Sequence, residues 1–219
     1  MVDSLRAGEK SLLKVGLTGG IASGKSAVGE MFVKRGTHLI QSDAVAHDLM
    51  QPGHAVYEEV MRRFGRGILN PDGSIDRARL AEVAFGSPGS AAPRVQELNE
   101  IVHPAVIELE NRWIEEIGRG DPDAIAMVEA ALILEAHAAD RFDRLIVVTC
   151  HPEQRIQRFA RRLGISEDAA RAEVTRRMAA QIPDEEKIKA ADFVIDNSGS
   201  LEYTEQQVQS VVGVLRQGS

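Results

Sequence analysis

The sequence predicts an α/β protein built on a parallel sheet flanked by helices, and three observations carry that prediction. A short apolar run, Leu12 to Leu17, ends in a Gly-rich turn and gives way at once to Ser26–Lys34, which has helical spacing. Two later apolar runs, Ala124–Val128 and Arg144–Thr149, are continuous rather than alternating, as strands buried on both faces of a parallel sheet are. Strand-like and helix-like segments alternate along the chain, the order that a doubly wound sheet requires.

The elements follow in order. After the first strand, turn and helix, a second strand, His38–Ile40, ends at Gln41-Ser42-Asp43, and a new helical stretch starts directly. From Ala44 to about Gly120 the sequence is helical and loop-like. Its segments Ala55–Phe64, Arg77–Phe85 and Arg94–Ile117 are separated by Pro52-Gly53, Pro71-Asp72-Gly73 and Ser87-Pro88-Gly89. This stretch between the second and third strands reads as an insertion that serves a substrate. Glu153–Gln181 reads as two Arg-rich helices around Gly164. A last strand, Phe193–Ile195, is followed by a turn at Asp196-Asn197-Ser198-Gly199 and a closing helix from Leu201.

Composition narrows the class. At 219 residues the chain can bury a sizeable core, and its 43% hydrophobic and 27% charged content is ordinary for a globular protein. One cysteine, Cys150, excludes an intrachain disulfide and any multi-cysteine metal site, and it fits a reducing, cytoplasmic setting. No apolar run approaches the roughly 18 residues of a membrane span, and the polar start MVDSLRAGEKSLLK does not read as a secretory signal. The net charge of −7 argues against a nucleic-acid partner, whose phosphates need a basic surface. A phosphorylated small molecule needs only a local positive cluster.

The chemistry sits in Gly19-Gly20-Ile21-Ala22-Ser23-Gly24-Lys25-Ser26, which fits the pattern G-x-x-x-x-G-K-[ST], with a strand before it and a helix after it. In such a P-loop, glycines let consecutive backbone N–H groups point at one anion, and the helix adds its N-terminal dipole. Lys25 is positioned in sequence to reach the outer phosphates of a nucleoside triphosphate, and the Ser26 hydroxyl to ligate Mg²⁺. Ala27 and, at the turn after the last strand, Asn197 are further candidate nucleotide contacts. The fold expected is therefore of the P-loop NTPase type.

A P-loop alone does not choose among kinases, GTPases and motors. Asp43, just past the second strand, lies where ligands of open α/β sheets collect. There it can accept a proton from an attacking hydroxyl, or it can cap the helix beginning at Ala44. A guanine switch would need an N-K-x-D element and a D-x-x-G after the third strand; the residues there are Glu129-Ala130-Ala131. A kinase for another small acceptor, such as a nucleotide or a shikimate-like alcohol, and a nucleotide-binding switch without kinase activity are the rival readings.

From Lys14 to Leu215 the residues resemble the dephospho-CoA kinase family. Val15 to Ser26 is similar to its opening, and Leu39–His47 to its Asp-Ala-Asp segment. Asp72-Gly73-Ser74-Ile75-Asp76-Arg77 with Leu80 and Phe85, and Val102-His103-Pro104, resemble two later elements. So do Leu132-Ile133-Leu134-Glu135, and Gln181 with Ala191-Asp192-Phe193-Val194-Ile195-Asp196-Asn197. The resemblance implies ATP-dependent phosphorylation of the ribose 3′-hydroxyl of dephospho-CoA, the last step of coenzyme A synthesis. It implies a single domain over 14–219 after a tail, 1–13. The nucleotide core would cover about 14–43, 123–150 and 191–219, a helical CoA-side insertion about 44–122, and a mobile lid about 152–190. It makes Asp43 the catalytic base and places Arg77 and His103 on the CoA side.

The chain departs from the family at Gln41, where the first aspartate is usual. Ala22 stands for a loop glycine and is expected to keep φ below zero. Ala131 stands for a proline and Leu163 for a common acidic residue.

Arg155, Arg158 and Arg162 recur at i, i+3 and i+7, with Arg161 at the edge of that face. They read either as a solvated face or as charges that offset a transferring phosphoryl group. The resemblance puts lid arginines at Arg158 and Arg162, and a common glutamine at the place of Arg155. His103 before Pro104 is read as structural, with Pro104 in the first turn of a helix, or as part of the CoA pocket. Glu129 reads as an outer support for Mg²⁺ or as a cap. Trp113 and Cys150 read as packing residues.

Overall fold

A computed structural model describes residues 12–86 and 94–217. The Ser87-Pro88-Gly89 turn and all of the N-terminal tail before Leu12 lie outside the described residues. By internal contacts the chain separates into two compact units, one running to Ile40 and resuming at Ile114, the other Gln41–Trp113.

The first unit is organised by five strands, β1 (Leu13–Gly19), β2 (His38–Gln41), β3 (Ile125–Glu129), β4 (Arg144–Thr149) and β5 (Phe193–Asp196). Their order in the sheet is β2-β3-β1-β4-β5, and the β1–β3, β1–β4 and β4–β5 pairings are parallel. The sheet is the parallel, helix-flanked one that the sequence predicts. With β1 central, Leu17 lies opposite Glu129 on one side and Gly19 opposite Val148 on the other. The carboxyl ends of β1, β3, β4 and β5 therefore open on one edge, and whatever follows those strands is gathered there.

Helices α1 (Lys25–Val33) and α9 (Leu201–Gln217) cover one face of the sheet. Val28, Met31 and Phe32 of α1 and Val208, Val211, Val212 and Leu215 of α9 join Val15, Leu17, Ile125, Met127, Ile146, Val148 and Ile195 in one buried core. On β1 the alternate residue Gly16 faces the other way, where a Cβ would come 2.8 Å from the Phe142 ring. The hairpin of α6 (Pro152–Leu163) and α7 (Glu167–Ala179) follows β4. It turns at Gly164, whose φ of 65° suits a left-handed cap. Ile156, Phe159 and Ala160 of α6 pack on Ala170 and Val174 of α7.

A short helix, α8 (Asp184–Ala190), precedes β5. Its Lys187 is 1% exposed in the side chain and lies 2.7 Å from Glu135, in the turn region after β3. Glu135 also accepts the Ile182 backbone N–H at 3.2 Å.

The second unit contains α2 (Ser42–Leu49), α3 (Ala55–Phe64), α4 (Arg77–Phe85) and the first part of α5 (Val95–Gly120). Val45, Val56, Tyr57, Val60, Ile68, Leu80, Ala84, Val102 and Val106 are buried apolar residues of this unit. Asp76 caps α4 by accepting the Ala78 and Arg79 backbone N–H groups at 2.9 and 3.1 Å. Tyr57 donates its hydroxyl to the Gly73 carbonyl at 2.6 Å, tying α3 to the turn before α4.

Two local expectations are corrected. Pro104 is not in a first turn: it lies inside α5, which begins at Val95. Val102 and Val106, one turn apart on either side of it, are both buried, and that packing carries the helix through a residue that forfeits one backbone bond. Asp43 is not a cap either. α2 begins at Ser42, Gln41 is its N-cap without a side-chain bond, and Asp43 falls within the first turn. Trp113 is half-buried, and Cys150 is buried.

Candidate active site

The site assembles on the edge where β1, β3, β4 and β5 end. Gly19 closes β1, and the chain curls through residues 20–24 before α1 begins at Lys25. Gly24 makes that start possible. Its φ is 94°, and a Cβ there would lie 2.2 Å from the Asn197 amide nitrogen. Both conformation and space require glycine at this position.

Ala22 corrects the expectation for the third loop position, since its φ is 54° and so positive. An alanine pays about 1–2 kcal/mol for the left-handed region. The loop accepts this because Ala22 and its neighbour Ile21 pack against the apolar seam of α6 and α7.

Lys25 donates its ammonium to the Gly19 carbonyl at 3.0 Å, so the cation is held across the mouth of the loop. The Ser26 hydroxyl donates to Glu129 Oε1 at 2.7 Å. Glu129 ends β3, the strand beside β1, and is only 8% exposed. The sequence left its role open between cap and cation support; the observed partner is Ser26. Among the described residues no group of three or more His, Cys, Asp or Glu could by itself hold a metal ion. The donor set near Ser26 is oxygen only, a hydroxyl and a carboxylate, which suits Mg²⁺ held mainly by phosphates and water.

The opposite flank of the loop is held from β5 and α6. Asn197 donates its side-chain amide to the Ser23 carbonyl at 2.9 Å and accepts the Thr204 hydroxyl at 3.1 Å. Arg158 donates to the same Ser23 carbonyl at 3.2 Å and to the Asn197 carbonyl at 2.8 Å. Ser23 itself is fully buried. The three arginines that the sequence puts on one helical face sit at different depths. Arg155 is buried, Arg158 is half-buried against the loop, and Arg162 is exposed with its guanidinium 5.3 Å from the Phe159 ring centre. Cys150, at the end of β4, has its thiol 3.2 Å from Gln154 Oε1. Burial pushes that thiol above the usual range, which makes it a packing residue and a poor nucleophile.

In the second unit, Asp43 in the first turn of α2 is exposed, as are Arg77 at the start of α4 and His103 in α5. Sequence reasoning missed α8 and its ion pair with Glu135. The signal was present, since Pro183 followed by Asp184-Glu185-Glu186 marks a helix start.

The family model described as dephospho-CoA kinase matches residues 13–203, most of the chain. The chain belongs to the dephospho-CoA kinase family. Curated members of that family agree along its length. The chain is 40% identical over 198 residues to the dephospho-CoA kinase of Carboxydothermus hydrogenoformans, covering 90% of this chain and 92% of that one. It is 40% identical over 199 residues to the dephospho-CoA kinase of Aquifex aeolicus, covering 90% and 95%. Among solved structures, TT1252 from Thermus thermophilus superposes with a TM-score of 0.75 at 32% identity, covering 94% of this chain and 99% of that one. Similarity of this extent reaches beyond the P-loop to the helical unit, so the dephospho-CoA kinase family accounts for both.

Proposed function

We propose that this chain transfers the γ-phosphoryl group of ATP to the ribose 3′-hydroxyl of dephospho-CoA, giving coenzyme A and ADP. What carries the reading is a strand-to-helix phosphate loop with its lysine and serine in place, in a chain matched over most of its length by dephospho-CoA kinases. Backbone N–H groups of Gly19 to Ala27 and the start of α1 bind the phosphates, and Lys25 offsets charge at the outer ones. Asp43 accepts the proton of the acceptor hydroxyl as it attacks. Arg158 and Arg162 are assigned to the phosphoryl group, Asn197 to the nucleotide, and Arg77 and His103 to the dephospho-CoA side. The single free thiol, Cys150, fits a cytoplasmic location.

Ser26 would hold Mg²⁺, with Glu129 orienting the serine hydroxyl. The ion supplies neutralisation of the phosphate charge during transfer. Glu129→Gln removes the carboxylate charge but leaves an acceptor for Ser26. It is expected to raise the Mg²⁺ concentration for half-maximal rate by about 10- to 100-fold. Initial rates across an Mg²⁺ series check this, and an unchanged series removes Glu129 from the assignment.

The reaction is tested by incubating the purified chain with MgATP and a panel of acceptors, namely dephospho-CoA, nucleoside monophosphates and shikimate. Production of coenzyme A only from dephospho-CoA is expected. No turnover on dephospho-CoA would overturn the proposal.

A further inference from the structure

Helix α6 grips the phosphate loop at successive residues, and the grip begins with a side chain that has no assigned role. Arg155 is 1% exposed although it is the largest fully buried side chain of the described residues. Its Nε donates to the Cys150 carbonyl at the end of β4 at 3.0 Å. Its terminal nitrogens are paired with the carboxylate of Asp184, the first residue of α8. The same guanidinium lies directly on the loop, since a Cβ at Gly20 would come within 2.3 Å of Arg155 Nη1. Gly20 in turn accepts the Ser23 N–H at 3.2 Å and so closes the loop's first turn.

The next residues of the loop are also held by the hairpin. Ile21 and Ala22 pack on the apolar seam of α6 and α7, and Arg158, one turn after Arg155, donates to the Ser23 carbonyl. Residues 20 to 23 thus meet a cation, two apolar contacts and a second cation, all from this hairpin. The partner of Arg155 is itself fixed in place. Asp184 and Lys187 are three residues apart on α8, and Lys187 is buried against Glu135. α8 therefore cannot shift without separating two ion pairs.

We propose that Arg155 is a positioning residue for ATP binding. It acts through the Gly20 backbone, holding the first turn of the loop closed so that the N–H groups of residues 20–26 stay aimed at the phosphates. It does so while its own hydrogen bonds are taken by Cys150 and Asp184, and it needs no contact with substrate. A donor array fixed before the ligand arrives loses no binding free energy to reorganisation. The inference rests on the proposed use of ATP by this loop but not on the identity of the acceptor.

The test compares the full-length chain with Arg155→Met and with the double variant Arg155→Met/Asp184→Leu. ATP affinity is measured by calorimetry, alongside KM for each substrate and thermal unfolding. Arg155→Met is expected to weaken ATP binding by about 10- to 100-fold, the scale of a misplaced binding group. KM for dephospho-CoA should stay within about twofold of wild type, since Arg155 acts on the donor side alone. The double variant removes both charges together, so it should unfold near the wild-type temperature while its ATP affinity stays low. If Arg155→Met does not fold, the double variant alone decides. An ATP affinity of Arg155→Met within about twofold of wild type would overturn the proposal. So would a double variant that recovers ATP affinity together with stability. Inactivity of the wild type on dephospho-CoA would sink the reaction assignment and leave the ATP comparison standing.

Discussion

Asp43→Asn is expected to lower kcat by roughly 10²–10⁴ while leaving ATP affinity nearly unchanged. That loss corresponds to about 2.7–5.5 kcal/mol of transition-state stabilisation. The asparagine is the same size, so the first turn of α2 should persist, and only the ability to take a proton is removed. Asp43 does not cap α2, because the helix already begins at Ser42. A cost to stability from a lost cap is therefore not expected to blur the result. Steady-state rates with dephospho-CoA, together with ATP titrations, separate the two effects. A kcat within about tenfold of wild type would show that another group takes the proton.

Lys25→Ala is expected to damage binding and transfer together. The ammonium that sits 3.0 Å from the Gly19 carbonyl is the point charge proposed for the outer phosphates. Losing a charge-assisted hydrogen bond costs about 1.5–3 kcal/mol, or roughly 10- to 150-fold in ATP affinity. A further loss in kcat of about 10²–10³ is expected because charge builds on the transferring group. Turnover at the wild-type rate would refute the assignment of the loop. Since Asp43→Asn spares ATP affinity and Lys25→Ala does not, the pair distinguishes acceptor activation from donor binding.

Much of this was legible in the sequence, for reasons that can be stated residue by residue. All of the predicted strands appear, and the three central ones were plainest because they are buried on both faces and leave unbroken apolar runs such as Leu145–Val148. Ala55–Phe64 and Arg77–Phe85 are helices with the predicted ends, because Gly65 and Gly86 terminate them with positive φ. α5 was legible as a helix, but the place of Pro104 within it was not, since local chemistry favours a first turn and only burial of Val102 and Val106 reverses that. The loop itself was legible because its residues are contiguous.

Its supports were legible as candidates, but their partners were not. Ser26 and Glu129 are 103 residues apart, and Ser23 and Asn197 are 174 apart. Only the strand order, which sets β1 between β3 and β4, brings them together, and no local pattern encodes that order. The positive φ of Ala22 was missed for the same reason: its compensation is a contact with a hairpin more than 130 residues away.

The buried thiol at the end of β4 has a practical use. Because Cys150 is the chain's single cysteine and is shielded and hard to ionise, a thiol-reactive dye added at neutral pH should leave it unmodified. A second cysteine placed at an exposed site such as Ala172 on α7 would then take one label, with no need to remove the native residue. The molecule comes ready for site-selective fluorescence, and the α6–α7 hairpin can be followed in solution as nucleotide is added.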